Sequence, residues 1–177
     1  MDRLRAVGWT VLMNSSPYVI TTAAATVTAA AVGGLFFAFS TFVMAGLDRA
    51  DPAEAIAAMR AVNAEAQANA PFLALFFGGA LLALVVGVMA ALRLSTPGSG
   101  YVLGGAVLGV VAFVVTVAFN VPLNDRLDAV DPSAVSAADA LRDWTAYSAQ
   151  WTAWNHVRTV APLVGSALML TGLLHHR

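Results

Sequence analysis

The sequence contains no cysteine and no lysine, and only 11% of its 177 residues are charged. Without cysteine there can be no disulfide, no thiolate nucleophile and no Cys-based metal site. A soluble domain carries about 25% charged residues, so a water-facing surface for a fold of this size is excluded. A net charge of −1 and the lack of any basic run exclude nucleic acid as a partner. That all nine basic residues are arginine reads, with the abundance of alanine, as compositional bias and not as mechanism. Gly-rich phosphate loops, nucleophile elbows and paired-histidine spacings are also missing. Of the three histidines, His175 and His176 are adjacent and far from His156. A protein-ligated metal centre or a bis-histidine haem is therefore not expected, and neither metal nor other cofactor is assigned. No acid lies inside the apolar stretches, which disfavours an ion path and puts a carrier or channel last among the readings.

What the chain does have is apolar length: 59% of it is hydrophobic and the mean hydropathy is +0.77. A membrane span needs roughly 20 apolar residues, and four stretches qualify, at about 18–47, 72–92, 101–119 and 157–174. The sequence therefore predicts an all-α, four-transmembrane-helix bundle, with residues 1–177 as one integral membrane domain. A break at Asn14-Ser15-Ser16-Pro17 would separate the first span from a short amphipathic lead-in containing Trp9. Arg3 and Arg5 followed by small residues near Ala23–Ala31 also resemble a signal peptide, but the apolar run continues through Phe36-Phe37-Ala38-Phe39. Arg3, Arg5, Arg93 and Arg177 fall on one side of an even-numbered bundle with Asp2 as the only acid there, and the remaining acids fall in the two long connections opposite. The positive-inside rule then puts both termini in the cytoplasm and the protein in the inner, cytoplasmic membrane. Both extracytoplasmic connections are expected to be partly helical. Asp51-Pro52 reads as N-cap and first helical position, Asp131-Pro132-Ser133 offers a similar start, and Ser136 to Asp139 forms a variant capping box. That second helix should run through Trp154 into the fourth span.

This topology gathers polar groups at the outer end. Phe36–Leu47 closes the first span there, Asn63 and Gln67 follow, Asn120, Pro122 and Asn124 close the third span, and Trp144 to Arg158 leads back in. At 100° per residue, Trp144, Tyr147, Trp151, Asn155 and Arg158 fall within about 80° of one another on a helix. Such a face suits a flat apolar ligand oriented by a few polar groups, and equally an aromatic belt at the membrane interface. Arg158 is either an interface anchor or an inward guanidinium that stabilises a developing oxyanion. His156 titrates near neutral pH and is the chain's candidate general base, yet it lies about 100° round from Asn155, so a straight helix aims the two at different points. A hydrogen-bonded structural role for it stands beside the catalytic one. Asn120 and Asn124 are neighbours if helical, or cap a helix end that Pro122 breaks. Ser40 and Thr41 are expected to bond back to their own helix, and Gly33-Gly34 and Gly78-Gly79 to permit close helix approach.

Four segments in this order, Phe36–Met44, Ala58–Asn63, Asn120–Asn124 and Trp151–Thr159, make the chain resemble the anthrone oxygenase-like family of small membrane proteins, from about Thr28 to about Leu170. One departure is Ala45, where many relatives are expected to carry proline. The resemblance implies a four-helix membrane fold and, in members with known roles, oxygenation of an anthrone to an anthraquinone without metal or flavin. It implies a cofactor-independent oxygenase acting on a small aromatic or phenolic substrate; with that chemistry, the clustering of residues at the outer end assigns His156 as base, Asn155, Asn124 and Arg158 to stabilising the anion, and Trp151, Asn120, Asn63, Phe39 and Tyr147 to binding the substrate. The competing reading is a non-catalytic membrane protein that binds a lipid, a quinone or a partner subunit. Expected partners are the lipid bilayer and a small aromatic or apolar ligand, with an oligomer possible.

Overall fold

A computed structural model describes residues 17–175; the lead-in around Trp9, the break at 14–16 and His176 lie outside the described residues. Every described element is helical: α1 Pro17–Leu47, α2 Pro52–Ala68, α3 Ala70–Ala91, α4 Ser99–Asp128 and α5 Ala137–His175. All but α2 are long and apolar enough to cross a membrane, which are the dimensions and composition of a membrane protein. At ~1.5 Å per residue, the 22 residues of α3 reach about 33 Å, close to the ~30 Å of a hydrocarbon core. The 39 residues of α5 reach about 58 Å, far more than one crossing needs. The expectation that the second connection runs unbroken into the fourth span is met.

The four long helices form a ring in which α1 packs on α3 and α5, and α4 on α3 and α5. At one end the ring is closed by the short turn between α3 and α4, and we call this the turn end. There the core is Tyr18, Ala25, Ala29, Val86, Ala90, Val102, Ala106 and Met169. The α4–α5 seam is made of glycines spaced by seven, Gly98 and Gly105 facing Gly172 and Gly165. A methyl group on Gly105 would strike the Gly165 carbonyl oxygen, and one on Gly165 would stand 2.7 Å from that of Gly105. Gly98 also has a positive φ of 85°, which only glycine adopts readily. The expected close approach at paired glycines is thus only partly realised: Gly33 meets Leu163, while nothing lies near the missing Cβ of Gly34 or Gly78.

At the other end, the cavity end, α2 lies against α5 and the last turns of α4. Asp51 caps α2 as expected, accepting from the Ala53 N–H at 2.9 Å. Ser136 begins α5, its hydroxyl donating to Asp139 at 2.7 Å while accepting from the Asp139 N–H at 3.2 Å. Asp131 starts only a turn: its carboxylate takes the Ser133 N–H and hydroxyl, and no α-helix follows.

Two of the spans contain a π turn, Phe39–Val43 in α1 and Thr116–Asn120 in α4. The second corrects the expected break at Pro122. A proline clashes with the carbonyl four residues back and lacks an N–H; widening the preceding turn accommodates both, and the helix continues to Asp128. No proline accompanies the first π turn, and with Ala45 present the helix runs on to Leu47.

Candidate functional site

The two π turns stand on either side of the Trp151–Thr159 stretch of α5, and there the side chains enclose a cavity of about 530 Å³. Its size falls within the roughly 300–1,000 Å³ typical of small-molecule sites. Leu35, Phe36 and Phe39 of α1 and Phe72, Leu73, Phe76 and Phe77 of α3 give it an aromatic floor. The rings at the bottom interlock, Phe76 standing edge-on to Phe36 and stacking on Phe72. Met59, Val62 and Asn63 of α2 cover it, with Glu65 and Gln67 at the rim, and α4 adds Thr116, Val117, Val121, Asn124 and Asp125. From α5 come Trp151 and Arg158.

Arg158 decides the electrostatics. It is only 4% exposed, and its guanidinium lies between two rings, 4.2 Å from the centre of Phe36 and 4.5 Å from that of Trp151. Its Nε donates to Asn155 Oδ1 at 2.7 Å, and one terminal nitrogen makes a long contact of 3.4 Å with the Thr116 hydroxyl. Among the described residues no carboxylate pairs with it; the ion pairs there belong to Arg60 and Arg142. Glu65 and Asp125 share the cavity wall but are exposed at its mouth. Of the two readings of this arginine, the inward guanidinium is the one the structure takes.

Asn155 is fully buried and holds this arrangement to α1. Its Nδ2 donates to the Phe36 carbonyl at 2.8 Å and to the Ser40 hydroxyl at 2.7 Å. The Thr159 hydroxyl is committed to the Asn155 carbonyl at 2.8 Å, so in its 3.1 Å contact with Ser40 the serine donates. Ser40 thus bonds across to α5, against the expectation that it would bond within its own helix; Thr41 does bond back, to the Phe37 carbonyl at 2.8 Å. Asn120, buried, donates to the Trp151 carbonyl at 3.2 Å and lies outside the cavity wall, so it ties helices together where ligand contact was expected. Neither asparagine caps a helix end. Asn124 accepts from both the Tyr147 hydroxyl and Trp151 Nε1 at 2.9 Å.

His156 is exposed on the side of α5 turned away from Asn155 and Arg158, and it does not line the cavity. The structure thus keeps the candidate base off the cavity wall, and helix geometry is the reason, since one step of about 100° carries a side chain out of the face its neighbour occupies. Tyr147 is buried behind the wall, its ring beside Trp151 and its hydroxyl on Asn124. Trp144 is neither belt nor pocket but part of a second core with Met44, Ile56, Met59 and Leu127. Arg158, Asn124, Trp151, Asn63 and Phe39 are brought together on the cavity wall; Asn155 stands directly behind them.

Sequence reasoning missed Asp48 and Thr116. The Asp48 carboxylate accepts from Trp144 Nε1 and from the Ser148 hydroxyl, each at 2.9 Å, and pins the end of α1 to α5. Its position, first acid after an apolar span, signals only an interface. Thr116 lies four residues before Asn120, a spacing that marks a shared helix face.

Searches among curated proteins and among solved structures found no match. The family model described as Anthrone oxygenase matches residues 71–168, taking in α3, α4 and most of α5. Two of the four segments that carry the resemblance, at 120–124 and 151–159, lie inside the match, and those at 36–44 and 58–63 lie outside it. With more than half of its length matched, including both helices that supply Asn124, Trp151 and Arg158, the chain belongs to the anthrone oxygenase family.

Proposed function

We propose that the cavity binds a hydroxylated aromatic molecule as its anion and promotes direct oxygenation of that anion. The observation that carries this reading is Arg158, a buried guanidinium on the cavity wall with no carboxylate partner among the described residues. A buried unpaired charge costs several kcal/mol, on the order of 3–5 when a partner is removed, so the site is completed by an incoming negative group. The two rings flanking the guanidinium and the phenylalanine floor supply the flat apolar surroundings that an aromatic ligand requires.

The chemistry follows from that charge. Arg158 lowers the pKa of a bound phenol or benzylic C–H by favouring the anion, a cation within a few ångströms shifting such groups by about 1–3 pK units. The proton leaves toward Glu65 and Asp125, the carboxylates of the wall, or toward water at the mouth. The carbanion adds molecular oxygen. The resulting peroxide anion takes back the first proton; removal of the second hydrogen as a proton then breaks the O–O bond, leaving a ring carbonyl and hydroxide, which that second proton converts to water. In sum a CH₂ group and O₂ become C=O and H₂O. The positive-inside rule, applied to Arg3, Arg5, Arg93 and Arg177, places both termini in the cytoplasm and the cavity at the outer face of the inner membrane.

The test is oxygen uptake with 1,8-dihydroxyanthrone, measured above its uncatalysed oxidation. The wild-type protein accelerates uptake, Arg158→Gln reduces the acceleration at least tenfold, and His156→Ala leaves it unchanged. An Arg158→Gln protein as active as the wild type removes the guanidinium from the reaction.

A further inference from the structure

The bonds around Asn124 settle which way round its amide sits. Trp151 Nε1 can only donate, and the Tyr147 hydroxyl reaches the same oxygen, both at 2.9 Å. Turned over, the amide would set its NH₂ group against an obligate donor. With Oδ1 occupied twice, the group that Asn124 leaves to the cavity it lines is its NH₂. Asn155 is fixed in the same way from the opposite side: the Phe36 carbonyl can only accept, so Nδ2 faces it and Oδ1 faces Arg158. The two amides are therefore oriented so that Asn124 and Arg158 both offer N–H groups to the ligand.

The geometry points to Tyr147 and Trp151 as positioning residues that lock the Asn124 amide with its N–H groups toward the cavity, where it serves with Arg158 as a second donor to an anionic oxygen of the ligand. This rests on the reading of the cavity as a site for an aromatic anion. It moves Tyr147, which does not line the cavity, from ligand contact to orientation of a residue that does. Trp151 does both, walling the cavity with its ring and holding Asn124 with its N–H. Two donors set on different helices suit an aromatic that carries more than one oxygen, one of them ionised. The titratable groups on the wall are Glu65 of α2, Asp125 of α4 and Arg158 of α5; α1 and α3 contribute only apolar side chains there and Asn69 at the α2–α3 junction. Tyr147 stands behind it.

The experiment titrates 1,8-dihydroxyanthraquinone, a coloured probe that does not turn over, bound to the full-length protein in nanodiscs, reading the ionised form by its visible absorbance. Bound to wild type, the dye ionises at lower pH than when free. Asn124→Leu reduces the bound ionised fraction at fixed pH about tenfold, as expected for one hydrogen bond to a charged group. Tyr147→Phe reduces it at least threefold and has no further effect when added to Asn124→Leu, because the two act through one group. Asn124→Asp keeps an acceptor for both Tyr147 and Trp151, so the fold is retained, but it turns a negative oxygen to the cavity and raises the pH at which the dye ionises. A Tyr147→Phe effect that is nil, or that adds in full to Asn124→Leu, overturns the positioning role. If Tyr147→Phe does not fold, Asn124→Asp decides: ionisation as in wild type overturns the orientation. Wild-type protein that leaves the dye's ionisation unmoved overturns both this inference and the reading beneath it, whereas a shift that Arg158→Gln abolishes and Asn124→Asp leaves untouched sinks the inference alone.

Discussion

The turn end and the cavity end of this bundle are joined by different means. At the turn end, backbone meets backbone: Gly98, Gly105, Gly165 and Gly172 bring α4 and α5 so close that a single methyl group has no room. At the cavity end the same two helices are joined through side chains, Asn120 on the Trp151 carbonyl and Tyr147 and Trp151 on Asn124. Close packing leaves no space for a ligand; polar struts leave a cavity and fix its shape. In hydrocarbon no hydrophobic force draws helices together, so both devices, small residues and interhelical hydrogen bonds, are the ones a membrane allows. The division of labour is that one end supplies rigidity and the other supplies a site.

The sharpest way to break that comparison is to crowd the glycine seam. Gly105→Leu should destabilise by more than about 3 kcal/mol, since the contact is with backbone and cannot relax as a side chain would; thermal unfolding in detergent measures it. A tolerated leucine would mean that the seam is not what closes this end. Next in size is Arg158→Met. It should abolish binding of an anionic ligand yet leave thermal stability equal or raised by about 1 kcal/mol or more, because it removes a buried unpaired charge. A large loss of stability would instead make Arg158 a strut like the asparagines. Asp48→Ala, which strips two bonds from Trp144 and Ser148, is expected to cost about 1–3 kcal/mol, and Asp48→Asn less, since one acceptor remains. Ser136→Ala, removing the cap of α5, should cost about 1 kcal/mol. The smallest effect is that of pH on the turn before α5. The Ser133 hydroxyl and N–H hold the Asp131 carboxyl below its ordinary value of 3.8. The folded form therefore gains from the ionised carboxylate above that value and loses the gain as pH falls through the depressed one. Ser133→Ala should flatten this dependence in acid-unfolding curves.

The spans were legible because membranes impose a length and a polarity that single residues declare. Caps at Asp51 and Ser136 were legible for the same local reason. The end of α4 was not: Pro122 is a break signal, and only the tertiary position of Asn120 and Asn124, both bonded to α5, shows why the helix continues through a widened turn. Within the site, the helix face from Trp144 to Arg158 was readable from angle alone. Which members of that face look into a cavity and which look into a core depends on where α2 lies, and nothing within the Trp144–Arg158 stretch announces that. Trp144 and Tyr147 went to the core side for that reason. His156 drew attention by its chemistry, although its angle already set it apart from Asn155.

Pro162, buried in the middle of α5, sits four residues after Arg158 and leaves that residue's carbonyl without its usual partner in the helix. A rod bends where its ladder of bonds is interrupted. On the far side of this joint run 25 residues to Ala137, an arm of about 37 Å at ~1.5 Å each. A tilt of roughly 5° there displaces the tip by about 3 Å and Trp151 by about 1.4 Å. A change of angle at this one proline would therefore alter the width of the cavity, while the glycines of α5 lie on the other side of the joint.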